Sequence, residues 1–267
     1  MRVLRTVLAV AVVLAGGCAI PKLGKVQGGL FEHVVLAPRA QPRSQVIHLY
    51  IGGDGRPFVT PDRVATDPTP ARSMVTRWLQ ADTTERYVLG RPCYHGLAGD
   101  PSCAPRWWTT QRYARPVVDS LVLAAQGLTD GRPVVLIGYS GGGTLAVMMA
   151  ARLSNAVGVV TVAANLAPDA WTDLHGYTPV AGNADVEHAL TQLSRMPQLH
   201  FAGGHDQNVP VSINRGLYGH LPAGTVCVMP GFDHTCCWSR RWKRVLAAIA
   251  DWRCETAGGQ VWIGTAS

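Results

Sequence analysis

Residues 134–146 read Val-Val-Leu-Ile-Gly-Tyr-Ser-Gly-Gly-Gly-Thr-Leu-Ala, and this stretch limits the fold more than any other part of the chain. The apolar residues at its start are typical of a strand that is buried on both faces. Gly138 and Gly142 flank Ser140 in a G-x-S-x-G pattern, whose glycines let a strand and a helix approach each other closely. The stretch predicts a strand, a sharp turn and a helix, with the serine hydroxyl held clear of the sheet.

The rest of the chain alternates short apolar runs with helical patterns, which is typical of a sheet with helices on both faces. Of 267 residues, 47% are hydrophobic and only 15% are charged. An ordinary soluble domain has about 25% charged residues, and these values exclude a disordered or coiled-coil protein. We therefore predict an α/β protein with a mostly parallel sheet, in one domain over residues 44–267. Strands are predicted at 46–51, 87–89, 134–139, 157–163, 198–202 and 225–229, an edge strand at 34–36, and helices near 73–81, 111–126, 142–153, 185–194, 211–219 and 239–252.

Two connections are longer than a compact domain needs. Residues 90–110 and 164–184 each follow a predicted strand and are expected to be loops. They emerge at the carboxyl ends of the strands, where open α/β sheets bind their ligands. We expect them to form walls of a substrate site.

A serine hydroxyl needs a base to become a nucleophile, and the base needs a carboxylate to hold it in one tautomer. Asp206 follows the strand predicted at 198–202, and His234 follows the strand predicted at 225–229. The order serine, aspartate, histidine after successive or nearly successive strands is the chain order of α/β-hydrolases. Ser140, Asp206 and His234 are therefore predicted to form a catalytic triad.

Other residues compete for these roles. Asp233 adjoins His234 and His205 adjoins Asp206, but side chains of neighbouring residues seldom face each other across a turn. Asp169 and Asp173 follow the preceding strand, where some hydrolases keep their acid, and rank second to Asp206.

Acyl transfer also needs backbone N–H donors for the oxyanion that develops in the transition state. The amide of Gly141, directly after Ser140, is one expected donor. The strand at 46–51 ends in Gly52-Gly53-Asp54-Gly55, and the amide of Gly53 or Asp54 is the expected second donor. A plain Gly-Asp turn is the alternative at that place.

No motif indicates a cofactor. The Gly-Lys-Ser/Thr ending of a phosphate loop is missing, and Ser140 stands where a dinucleotide-binding loop has glycine. The formal charge is +7, but the Lys and Arg residues are scattered, so nucleic acid is not an expected partner. The expected partner is a small-molecule or lipid-like acyl substrate.

The amino terminus is typical of an export signal. Arg2 and Arg5 precede an apolar run over 7–15, which is too short to cross a bilayer. Gly16-Gly17-Cys18 resembles a bacterial lipobox, although Leu14 lies one place upstream of the usual leucine. We expect residues 1–17 to be a signal peptide and Cys18 to be acylated, palmitate being the expected lipid, with residues 18–43 as an irregular tether. Ordinary secretion with a free Cys18 is the alternative.

Six further cysteines fit an oxidising compartment. Cys93 and Cys103 bracket a short loop and are natural partners. Cys236 and Cys237 are not expected to pair with each other, so that one would reach Cys227 and the other Cys254. The alternative is a metal site, since Asp233, His234, Cys236 and Cys237 lie close together in sequence. No Cys-x2-Cys or His-x3-His spacing supports it, and no metal is expected.

From about residue 44 to 250 the chain resembles the α/β-hydrolases, and more closely some poorly characterised bacterial envelope lipoproteins of that superfamily. The shared motifs are Tyr-Ile-x-Gly-Asp-Gly (50–55), Gly-Arg-Pro-Cys (90–93), Gly-Tyr-Ser-Gly-Gly-Gly (138–143) and Gly-Phe-Asp-His-Thr-Cys-Cys-Trp (231–238). The resemblance implies catalytic roles for Ser140, Asp206 and His234, but little about the substrate.

The sequence thus predicts a serine hydrolase of the bacterial envelope that cleaves an ester or related acyl bond. The alternatives are a peptidase or amidase with the same triad, and a non-catalytic binding lipoprotein. In Gram-negative lipoproteins, Ala19 after the cysteine implies sorting to the outer membrane, facing the periplasm. A secreted or soluble periplasmic protein is the alternative location.

Overall fold

The computed structural model describes residues 22–181 and 183–261, in which nine strands form one mixed sheet. Their order across the sheet is β1-β2-β6-β3-β7-β8-β9-β10-β11, and the six strands from β6 to β10 in this order are parallel. They are β1 (Lys22–Gly28), β2 (Phe31–Ala37), β3 (Ile47–Ile51), β6 (Glu85–Leu89), β7 (Val134–Tyr139), β8 (Ala156–Val162), β9 (Gln198–Gly203), β10 (Val226–Met229) and β11 (Gln260–Val261); β4 (Phe58–Thr60) and β5 (Arg63–Val64) form a separate hairpin.

Helices lie on both faces of the sheet, as the sequence predicts. They are α1 (Met74–Ala81), α2 (Arg115–Thr129), α3 (Gly141–Ala150), α4 (Pro168–His175), α5 (Asn183–Gln192), α6 (Arg215–Tyr218) and α7 (Trp238–Asp251), with short 3₁₀ turns at Pro105–Trp108, Val211–Asn214 and Cys254–Ala257. The predicted helix at 211–219 is a 3₁₀ turn followed by the four-residue α6. The six main predicted strands and the α/β architecture are confirmed.

Successive residues of the central strand β7 point to opposite faces, because side chains alternate along a strand. Leu136 lies in one core, together with Leu121 of α2 and Leu145 of α3. Ile137 lies in the other, together with Trp78 of α1 and Trp242 of α7. This two-sided burial explains why the central strands are apolar without interruption.

The tether expected over residues 18–43 is wrong for its central part. Residues Lys22–Gly28 and Phe31–Ala37 form an antiparallel hairpin, and its second strand also pairs with β6. Phe31 and Val34 are buried against the domain, because β2 covers the edge that β6 would otherwise expose. The expected edge strand at 34–36 is therefore longer, and β1 lies outside it. Residues 1–17 and Cys18 lie outside the described part of the chain.

The two long connections are more ordered than expected. Residues 164–184 are not a loop throughout, because they contain the whole of α4 and the first two residues of α5. Pro168 starts α4, and Gly176 ends it in a left-handed conformation. The segment 90–110 is largely irregular, as expected, and contains the 3₁₀ turn at Pro105–Trp108.

The disulfide between Cys93 and Cys103 is confirmed, with Cα atoms 5.6 Å apart. The other expected pairings are wrong. Cys227 on β10 pairs with Cys254, which follows α7, because α7 returns the chain to within 5.3 Å between their Cα atoms.

Cys236 and Cys237 form a disulfide with each other, across a cis peptide bond. Both sulfurs are therefore oxidised and cannot serve as thiolate metal ligands. Within the described ranges, no helix has the length and apolar character needed to span a membrane.

Candidate active site

Ser140 occupies the turn between β7 and α3. Its φ of 51° and ψ of −128° are costly for a residue other than glycine. Its N–H donates to Val162 O on β8 at 2.9 Å, which holds the turn against the sheet. A Cβ atom at Gly138 or Gly142 would overlap backbone atoms of this turn or of the end of β3. The two motif glycines are thus required by close approach of the backbone.

The three residues of the predicted triad form one hydrogen-bonded chain. A carboxylate can only accept, so His234 Nδ1 donates to Asp206 Oδ2 at 2.8 Å. In this tautomer His234 Nε2 accepts from Ser140 Oγ, at 3.1 Å. The residues meet because β7, β9 and β10 are parallel and their carboxyl ends lie at the same edge of the sheet.

Asp206 is fixed by its own turn. Its Oδ1 accepts from the backbone N–H groups of Asn208 (2.9 Å) and Val209 (2.8 Å). These bonds leave Oδ2 free to face the histidine ring, and only 5% of the residue is exposed. The backbone of His234 is held by Tyr139, whose hydroxyl donates to His234 O at 2.9 Å.

The competing residues are used differently. Asp233 Oδ1 accepts from the N–H groups of Thr235 (2.7 Å) and Cys236 (2.5 Å) within its own turn. His205 is exposed, and so are Asp169 and Asp173 on α4. The structure brings none of the four into the Ser140 chain of hydrogen bonds.

The glycine turn after β3 lies directly against Ser140. A Cβ atom at Gly53 would lie 3.2 Å from Ser140 Cβ and 3.3 Å from Tyr139 Cδ1. Gly141 is the first residue of α3, where a backbone N–H has no partner within the helix. The expected oxyanion donors, the amides of Gly53, Asp54 and Gly141, thus come from segments that border the serine.

The Asp54 side chain has a role that the sequence did not indicate. It forms ion pairs with Arg91 and with Arg112 (3.1 Å), and Tyr113 Oη donates to its Oδ2 at 2.7 Å. Burial alone would raise the pKa of Asp54, but the charges of Arg91 and Arg112 lower it to about 2. No local spacing reveals this cluster, because its arginines lie 37 and 58 residues away.

The same turn is fixed at its backbone. Tyr94 Oη donates to Asp54 O at 2.8 Å, and Arg91 also donates to Arg112 O at 3.1 Å. Arg91 and Tyr94 lie on either side of Cys93, which is bound to Cys103. The disulfide-closed loop therefore supports the turn that borders Ser140.

Ser140 and His234 line a cleft with a volume of about 1190 Å³. The β4–β5 hairpin and the start of α1 contribute to its lining, and so do Thr109 and Thr110. Trp107 and Trp108 are buried in the core and do not line the cleft, so only the end of segment 90–110 serves as the expected wall.

Segment 164–184 does provide a wall, as expected. Trp171, His175 and Tyr177 line the cleft and pack against one another, with ring centroids 5.1 to 5.7 Å apart. His175 Nε2 is hydrogen bonded to Asn208 O at 2.8 Å, which ties this wall to the turn of Asp206. This wall is aromatic, and the hydrogen bond from His175 to Asn208 holds it next to the turn of Asp206.

No family model and no curated protein matches the chain. Solved structures do match it. The esterase domain of a Rhodothermus marinus protein is 18% identical, with a TM-score of 0.56, over 90% of this chain and 98% of that one. An α/β serine hydrolase without a lid from Xanthomonas campestris is 14% identical, with a TM-score of 0.54, over 87% and 93% of the two chains.

A puromycin-hydrolyzing peptidase of Mycobacterium tuberculosis is 14% identical, with a TM-score of 0.60, and the match covers 91% of this chain but 41% of the peptidase.

The chain is an α/β protein in which a serine, a histidine and an aspartate are joined by hydrogen bonds at the carboxyl edge of the sheet. Its fold is the α/β-hydrolase fold.

Proposed function

We propose that this protein is a serine hydrolase that cleaves an ester or related acyl bond. The observation that carries the proposal is the hydrogen-bonded chain from Ser140 Oγ through His234 to Asp206. It supplies a nucleophile, a base and an orienting carboxylate at the floor of an open cleft.

Ser140 Oγ attacks the carbonyl carbon while His234 Nε2 takes its proton. The resulting oxyanion accepts hydrogen bonds from the amides of Gly141 and of Gly53 or Asp54. When the carbon–oxygen bond breaks, His234 returns the proton to the leaving alcohol, and the acyl group remains on Ser140. Water then attacks the acyl-enzyme with the same proton transfers and releases the acid.

Asp206 does not take the proton in this sequence. Its carboxylate holds the imidazole in the tautomer that presents Nε2 to the serine and stabilises the imidazolium that forms. The two backbone N–H groups on Oδ1 keep it in that position through both steps.

A fluorophosphonate probe and an aryl ester such as p-nitrophenyl butyrate test the proposal. We expect the wild type to be labelled and Ser140→Ala to be unlabelled, with kcat lower by about 10⁴-fold or more. Ser212→Ala, at an exposed serine outside the cleft, is the matched control and should behave as the wild type. An unlabelled wild type would favour the non-catalytic binding protein.

A peptidase or amidase with the same triad is the second candidate. Its support is the similarity of fold to the puromycin-hydrolyzing peptidase. A panel of esters and amides that share one acyl group separates the two, since only a peptidase turns over the amides at a comparable rate.

The proposal includes export to the bacterial envelope on a lipid attached to Cys18, towards the outer membrane. Its support is the residue pattern over 1–18 and the disulfides of the described part, which are typical of an oxidising compartment. Labelled palmitate should be incorporated in a bacterial host and should be lost in Cys18→Ser. Release of unlabelled wild-type protein into the medium would point to ordinary secretion.

A further inference from the structure

The charged side chains that line the cleft are unevenly distributed. Asp54 is the carboxylate among the described lining residues, whereas Arg72, Arg77 and Arg112 supply three guanidinium groups. A cleft lined by one sign of charge concentrates ligands of the opposite sign. The balance of charge therefore depends on whether Asp54 offsets the arginines.

Asp54 is already neutralised from within the protein. Arg112 and the buried Arg91, which does not line the cleft, both form ion pairs with its carboxylate. The three side chains together carry one net positive charge, so Asp54 leaves no negative charge for the cleft. Arg112 is itself occupied by Asp54 and by Thr109 O, to which its Nε donates at 2.6 Å.

Arg72 and Arg77 are exposed, and neither side chain forms an ion pair or a hydrogen bond with another described residue. Arg72 precedes Ser73, the N-cap of α1, and Arg77 lies on the first turns of that helix. Met74 also lines the cleft, and residues three apart lie on the same side of a helix. Residue 72 and the start of α1 thus present two guanidinium groups to the cleft, and neither has a partner among the residues that the structure describes.

Large apolar and aromatic side chains line other parts of the cleft, beside several polar residues. Phe58 and Val64 of the β4–β5 hairpin, Trp171 and Tyr177 line the same cleft. Phe58 and Tyr177 are 39% and 53% exposed, so their apolar surface is open to a ligand. The cleft therefore offers apolar surface for a chain or ring and cationic groups at another wall.

We infer that the substrate is an ester that carries an anionic group, a carboxylate or a phosphate, which binds Arg72 and Arg77 while its apolar part lies against the hairpin or the aromatic wall. This inference rests on the proposed function, since it assigns the substrate class of the same site. A guanidinium group suits both anions, because its N–H donors match their paired oxygens.

Pairs of esters that differ only in an anionic group test the inferred substrate class. On the acyl side, p-nitrophenyl hexanoate is compared with the mono-p-nitrophenyl ester of adipic acid, which has the same chain length and leaving group. On the alcohol side, phenyl butyrate is compared with 3-(butanoyloxy)benzoate and with its phenyl phosphate counterpart. We expect kcat/KM to favour an anionic member by about tenfold at low salt, and the preference to shrink as salt rises.

The double variant Arg72→Gln, Arg77→Gln should lose most of that preference, measured as the ratio of kcat/KM between the anionic and neutral members of each pair. Arg195→Gln, at an exposed arginine outside the cleft, is the matched control and should keep the preference. The inference is overturned if the wild type prefers no anionic member, or if the double variant retains the preference.

A binding experiment separates failure of this inference from failure of the proposed function. The Ser140→Ala protein is titrated with monomethyl adipate and with methyl hexanoate, and tryptophan fluorescence is followed. Tighter binding of the anionic ester, lost when Arg72→Gln and Arg77→Gln are added to Ser140→Ala, supports the substrate class even if no turnover is found. Equal binding of the two esters overturns it even if hydrolysis is observed.

Discussion

The Asp54 carboxylate lies against Gly141, the first residue of the helix that follows Ser140. A Cβ atom at Gly141 would overlap Asp54 Oδ1 and Tyr113 Oη. The buried ion cluster and the amino end of α3 are therefore in direct contact. This contact joins the two segments whose amides are proposed to stabilise the oxyanion.

Gly141→Ala is expected to reduce kcat by about 10² to 10³-fold, because the added methyl group displaces Asp54 and moves an oxyanion donor. The measurement is steady-state hydrolysis of an aryl ester. Gly216→Ala is the control, since a Cβ atom there meets nothing within 4 Å. Wild-type kcat in a folded Gly141→Ala protein would show that the Gly141 region does not bind the oxyanion.

Asp54→Asn is expected to destabilise the whole domain. The change leaves Arg91 and Arg112 buried without their counter-charge, and breaking a buried ion pair costs about 3–5 kcal/mol. Urea denaturation measures the loss in the free energy of unfolding. Asp173→Asn removes an exposed carboxylate and should change stability by less than about 0.5 kcal/mol. Equal effects of the two changes would contradict the buried cluster.

Asp206→Asn is expected to lower kcat by about 10⁴-fold, because the amide no longer holds His234 in the tautomer that accepts from serine. Asp169→Asn, at the competing position on α4, should retain activity. If the large loss followed Asp169→Asn instead, the acid would be assigned wrongly.

The structure brings the three residues of the predicted triad together, and each could be located from the residues next to it in the sequence. Ser140, Asp206 and His234 each lie in the turn that follows an apolar strand, and parallel strands place such turns at one edge of the sheet. The position of a residue just after a strand in the sequence therefore also predicts its position in space, at the carboxyl edge of the sheet.

Contacts between residues that are far apart in the sequence could not be predicted from neighbouring residues. The ion pairs of Asp54 join residues from three segments, and their sequence spacing carries no period. The pairing of Cys227 with Cys254 depends on where α7 returns the chain. Of the β1–β2 hairpin only the strand at 34–36 was predicted, because a segment with a polar His33 resembles irregular chain until its pairing with β6 is known.

Two buried histidines predict how stability depends on pH. Burial lowers the pKa of His200 to about 4, and burial, only partly offset by a hydrogen bond with Gly90 O, lowers that of His33 to about 4 as well. In the unfolded chain both pKa values return to about 6.5. The unfolded state therefore binds more protons as pH falls below 6.5, and the stability from the neutral rings is lost between pH 6.5 and 4.

Each histidine contributes about 3 kcal/mol to this loss, at 1.36 kcal/mol per pKa unit. The carboxylates of Asp54 and Glu85, whose pKa values are lowered to about 2, lose their contribution only at lower pH. Urea denaturation at pH 7 and pH 4.5 should thus show a drop in stability that is smaller by about 3 kcal/mol in His200→Gln. His188→Gln, at an exposed position on α5, should leave the drop unchanged. An equal drop in the wild type and in His200→Gln would mean that this buried ring does not control acid stability.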